Sequence, residues 1–198
     1  MGKNNQLRDI ILQTVPQQYH DEVYESMKNL GPEKTFFTKV FYLWTEEQKM
    51  LAMQEIFRGN HLGGKYKTIL FDCLKVHETL KKCDSHKHYI EKSFSRFKSS
   101  FECLTEDQIK NHDNSKVSSL LEIVGYTARW EWGLDCRVWR EALAHHYQVS
   151  SLSLLSYIDP HFQHNPHHPQ HCPGQPMEQR YLEESVVDMI GRFSNILC

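Results

Sequence analysis

The chain has 198 residues, 39% of them hydrophobic, and a formal net charge of -2, which suits a globular protein with one well-buried core or a core and an appendage. A balance so close to neutral gives no basic surface for nucleic acid and no cationic face for an anionic membrane, and no apolar run approaches the 18 residues of a membrane span. Thirteen histidines are the departure from ordinary composition, and eight of them lie between His112 and His171.

Helical periodicity dominates and strand alternation is almost absent, so the expected fold class is all-α. The polar start, Met1 to Gln6, has neither the apolar run of a secretory signal nor the Ser or Thr at position 6 of a myristoylation signal. Residues 17–29 predict a helix stopped at Gly31-Pro32. Residues 33–58 predict one long helix or two short ones, with Phe36, Phe37, Val40, Phe41 and Trp44 as core, and a capping box at Thr45–Gln48. Gly59 to Gly64 is the clearest loop of the first half, and it divides an N-terminal helical extension, 1–64, from a histidine-bearing domain, 65–198. Further helices are predicted over 65–83, 85–101, 115–132 and 135–148, with a second capping box at Thr105–Gln108. Residues 149–176, rich in Ser, Pro and His, predict a long loop, and a last helix runs over 177–195.

Six cysteines without CxxC spacing are expected to be reduced thiols, which places the protein in an intracellular, cytoplasmic setting. Imidazole and carboxylate are the ligands of a mixed nitrogen/oxygen metal site, and they recur here in separate segments. Helical phase sorts them. His86 shares a face with Ile90, Phe94, Phe97 and Phe101, whereas His88 falls with Glu91, Lys92 and Ser95 on the wet side. His146 falls with Trp139 and Leu143; His145 lies about 100° away, beside Val138 and Ala142. His112 and Asp113, if helical, also stand about 100° apart, and Lys116 shares the side of His112. In the last helix, Leu182, Val186, Met189, Ile190 and Phe193 read as the core stripe. Tyr181, Glu184, Asp188 and Gly191 then form a second face that periodicity alone would leave in solvent.

The order His86, His112-Asp113, His146, His167-His168, Asp188 resembles the HD-domain superfamily of helical metal-dependent enzymes. His112 to Lys116 is similar to that superfamily's His-Asp-x-Gly-Lys stretch, with Ser115 in place of Gly. A closer similarity is to a family of small proteins of unknown function with His-Asp-x-Ser-Lys. Asn165-Pro166-His167-His168 matches that family's downstream Asn-x-His-His, and Met177, Tyr181, Glu184, Asp188 and Gly191 match its last helix. The resemblance covers about residues 85–192 and implies an HD-like helical bundle. It assigns His86, His112, Asp113 and Asp188 to a first divalent ion, and His146 with His167 or His168 or both to a second. Fe, Mn, Co, Ni or Zn would suit such a site. Residues 149–163 interrupt the relatives' pattern, so His161 and His164 receive no role. The implied reaction is hydrolysis of a small phosphate ester, for instance a nucleotide. Lys116 would stabilise phosphoryl charge, and Glu184 would act as a partner of a ligand or as a proton acceptor. The alternatives are a di-iron oxygenase of the HD-like type and a metal-binding protein without turnover.

Overall fold

The structure, a computed structural model, describes residues 3–57, 64–147 and 176–196. It is all-α: no strand occurs among the described residues. In chain order the helices are α1 (Lys3–Leu12), α2 (His20–Leu30), α3 (Pro32–Thr35), α4 (Phe41–Leu43), α5 (Glu46–Phe57), α6 (Lys65–Lys67), α7 (Val76–Phe97), α8 (Glu106–Asn111), α9 (Ser115–Ser118), α10 (Leu120–Trp130), α11 (Arg137–Tyr147) and α12 (Gln179–Ile196). No described helix is long and apolar enough to cross a membrane.

The chain divides into two compact units, Met1–Thr79 with Leu120–Ala142, and Leu80–Ser119 with Leu143–Cys198. None of the three boundaries between them coincides with residue 64, where the Gly-rich stretch suggested one. Most of that stretch, residues 59–63, lies outside the described residues, as does all but the last residue of the predicted long loop over 149–176.

In the first unit, α2 ends at Gly31, whose φ of 81° only glycine adopts without strain. Pro32 then opens α3 with its φ already helical. Turns of π-helix, Phe36–Val40 and Thr68–Cys73, follow α3 and α6. Phe36, Phe37, Val40, Phe41 and Trp44 are buried, and the Trp44 indole donates to Thr14 Oγ1 at 2.9 Å. Helix α1 has no counterpart in the sequence reading: its signal was only Leu7 and Ile11, four apart and both buried. The predicted break near residue 84 is also absent. Nothing between Lys81 and Ser85 stops a helix, and the interruption falls instead at Lys75, which has a positive φ of 64°.

The second unit carries the candidate site. Its core joins Ile90 and Phe94 of α7, Leu104, Ile109 of α8 and Val187 of α12, with Phe101 against it. Burying such side chains contributes roughly 1.5–3 kcal/mol each. Phe97, expected on the same stripe, is 37% exposed at the end of α7. The Thr105–Gln108 capping box starts α8 in both directions, with Gln108 N–H donating to Thr105 Oγ1 and Thr105 N–H to Gln108 Oε1. Just before it, the Glu183 carboxylate of α12 accepts from the N–H groups of Glu102 (3.1 Å), Cys103 (2.9 Å) and Leu104 (2.8 Å). Burial opposes ionisation of Glu183, but these donors and Gln179 outweigh it and lower its pKa. The bond ties the loop ahead of α8 to α12.

On α12 the face selected by the resemblance is buried, whereas the stripe that periodicity assigned to the core is only partly so, with Val186 and Ile190 half-buried. Leu182 and Met189, assigned to the core, are 47% and 50% exposed, while Glu183, Glu184, Val187, Asp188 and Gly191 are buried. Ordinary amphipathic logic puts apolar residues inside. It fails here because acidic side chains on this face find partners inside the unit: backbone N–H groups for Glu183, and an imidazole and a guanidinium for Glu184 and Asp188.

Candidate metal centre

Three local devices bring the site together. First, α8 ends after Asn111, so His112 and Asp113 stand in a turn and not on a helix as expected. His112 has extended-type backbone (φ −53°, ψ 128°), and Asp113 is left-handed with φ 53°. Aspartate is among the residues that tolerate this region, and strained backbone gathers at functional sites. The switch of backbone between the two residues replaces the 100° helical offset. Second, the helix predicted over 115–132 is divided at Ser119, whose backbone is extended, into α9 and α10. Third, Gly191 lets α12 lie against α7. A Cβ there would stand 2.9 Å from Ile90 Cγ1 and 3.3 Å from Ile90 N. One turn away, Asp188 meets His86.

Nε2 of His86 is 3.0 Å from Oδ1 of Asp188, and Nε2 of His112 is 3.7 Å from the same oxygen. The three ligand atoms all lie within 4.8 Å of one another. Oδ2 of Asp113 is 3.6 Å from His86 Nε2 and 3.4 Å from His112 Nε2. Adjacent ligands about 2.1 Å from one ion stand roughly 3.0–3.4 Å apart; the 3.0 and 3.4 Å spacings meet this, and the 3.6 and 3.7 Å spacings exceed it by a few tenths of an ångström. Buried His86 Nε2 supplies a second sign of fit: it approaches Asp188 closely but is not in hydrogen-bond alignment with any acceptor among the described residues.

His112 donates through Nδ1–H to Glu184 Oε1 at 3.0 Å, because an ionised carboxylate can only accept. Its Nε2 is thereby turned to the cluster, the arrangement that orients a ligating histidine. His146 is buried, with Nδ1 3.2 Å from Ser115 Oγ and Nε2 3.3 Å from Asp113 Oδ1; His145 is half-buried. Lys116 is buried and donates to Asp113 Oδ2. Arg192 grips Asp188 with two edges of its fork, Nη2 to Oδ2 at 2.7 Å and Nε to Oδ1 at 3.1 Å.

Burial disfavours every charge here, but the groups answer one another. Lys116, His112 and His146 hold the Asp113 carboxyl well below the usual range, and His112, His86 and Arg192 do the same for Asp188. In turn Asp113, Asp188 and Glu184 hold His112 well above an ordinary imidazole, and Asp113 and Asp188 raise His86. Both histidines are thus biased toward the charged imidazolium form.

His86, His112, Asp113, Lys116, His146, Glu184 and Asp188 are therefore all found in one unit. His88 is exposed, as its phase on α7 requires. His167 and His168 lie outside the described residues, together with His161, His164 and His171. Sequence reasoning missed Arg192. The available signal was its place four residues after Asp188, the spacing at which opposite charges meet on a helix. Ser115 was noticed only as a substitute for glycine.

Residues 75–195 match a family described as a family of unknown function, DUF5662. The chain belongs to that family. The matched region runs from the residue before α7 into α12 and contains every residue of the cluster. No curated protein and no solved structure matches the chain.

Proposed function

We propose that this member of the DUF5662 family is a metal-dependent, HD-like phosphohydrolase acting on a nucleotide or another small phosphate ester. The observation that carries the reading is the meeting of His86, His112 and Asp188 nitrogen and oxygen atoms within 4.8 Å, from three separate elements. Asp113 stands beside them as a fourth donor. Two imidazoles and two carboxylates suit Fe, Mn, Co, Ni or Zn.

His86, His112, Asp113 and Asp188 would hold the ion, and His146 faces the same region through Asp113. A bound divalent ion supplies Lewis acidity and lowers the pKa of water toward neutrality. Glu184 acts through His112, keeping the proton on Nδ1 and the lone pair of Nε2 toward the ion. Lys116, fixed on Asp113 in a buried setting, would offer its ammonium to the charge that grows on phosphoryl oxygens.

The test is phosphate release from a panel of nucleotides and small phosphate esters, with each of these metals supplied in turn. The reading expects release that requires the metal and disappears in His112→Ala. Metal uptake without release across the panel would rule out the hydrolase.

A further inference from the structure

The guanidinium of Arg192 is anchored and open at once. Its Nε and Nη2 hold both oxygens of buried Asp188, yet its side chain is 54% exposed. A forked contact of this kind fixes the plane of the guanidinium, so a second anion meeting its outer edge need not order a flexible arm. Lys116 is placed in a matching way on Asp113, but it is buried. Each carboxylate facing the candidate ion thus carries its own fixed cation, one inside and one reaching solvent.

The charges add to this. In the loaded site the imidazoles are neutral, as ligation requires, so a divalent ion with Lys116 and Arg192 exceeds Asp113, Glu184 and Asp188 by one positive charge among the described residues, which favours an anion beside the ion.

We infer that Arg192 is a substrate-binding residue that takes a phosphate oxygen at the solvent side of the ion. The inference rests on the metal reading above and adds a substrate-binding residue to it.

The experiment uses the full-length protein and inorganic phosphate. Phosphate binding is followed by calorimetry with and without saturating Mn²⁺, with metal content measured on the same samples, for wild type, Arg192→Gln and Arg192→Lys. Wild type should bind phosphate more tightly when loaded. Arg192→Gln should keep the ion and lose about 10- to 100-fold in phosphate affinity, the worth of a charge-assisted contact. Arg192→Lys, which keeps the charge without the fork, should fall between them. Equal phosphate affinity in wild type and a fully loaded Arg192→Gln would overturn the inference, as would phosphate binding in wild type that ignores the ion. Loss of the ion from both variants would also overturn it, making the arginine a holder of Asp188 alone. A wild type that takes no metal would instead remove the metal reading, and the inference with it.

Discussion

Gly191→Ala separates helix propensity from site geometry. Alanine is the better helix former by about 1 kcal/mol in a helix interior. Against this, the added methyl would sit 2.9 Å from Ile90 Cγ1 and 3.3–3.4 Å from the Ile90 backbone, where carbon contacts settle near 3.5–4.0 Å. Ile90 is fully buried, so it has little room to yield. Overpacking of this kind costs about 1–3 kcal/mol, which leaves a net loss between nothing and about 2 kcal/mol. Relief requires α12 to move from α7 by several tenths of an ångström. Asp188 and His86 lie one turn away on these two helices, 3.0 Å apart, and ligand distances tolerate only about 0.2 Å. Metal affinity should therefore fall by about tenfold or more while thermal stability drops by only a few degrees. Thermal melts of the metal-free protein and calorimetric metal titration measure the two effects. A Gly191→Ala protein more stable than wild type and with unchanged metal affinity would refute the close-approach argument.

Other outcomes follow from the same geometry. Glu183→Gln should destabilise the protein by about 1–2 kcal/mol, since a carboxylate serving three N–H groups becomes a neutral amide. Because the Glu183 pKa is lowered on folding, its contribution is full above the ordinary value of 4.5 and fades as pH falls through the folded value. Denaturant melts should thus show the gap between wild type and variant narrowing only below that pH; a gap that widens in acid would contradict this. Lys116→Ala should retain the ion and lose roughly 10²–10³ in phosphate release, and unchanged turnover would remove the lysine from the reaction. Ser115→Ala should weaken metal binding by about 10- to 100-fold if His146 reaches the ion, because Ser115 holds its other ring nitrogen; a titration identical to wild type would leave His146 outside the coordination.

Helix class, both capping boxes and the inward turn of His86 were legible in periodicity and cap chemistry, since these are local properties. The choice between His88 and His86 needed only a count along one helix. The face of α12 was not legible that way. Leu182 and Met189 form an apolar stripe that points outward, and Glu184 and Asp188 point inward because of partners tens of residues distant. Only resemblance selected that face. The left-handed turn at Asp113 was hidden for another reason. Asn111 to Lys116 contains no glycine or proline, and only aspartate's tolerance of positive φ permits the break. Arg192 was overlooked because an arginine four residues beyond an aspartate is ordinarily a solvated surface pair.

The most direct test of the central claim is metal content per chain, measured by elemental analysis after purification and again after reconstitution with Mn²⁺, Fe²⁺ or Zn²⁺. Wild type and His88→Ala should carry at least one ion per chain, and His86→Ala, His112→Ala and Asp188→Asn should each lose it while remaining helical by circular dichroism. A wild type without stoichiometric metal, or an Asp188→Asn protein with wild-type content, would contradict the metal centre.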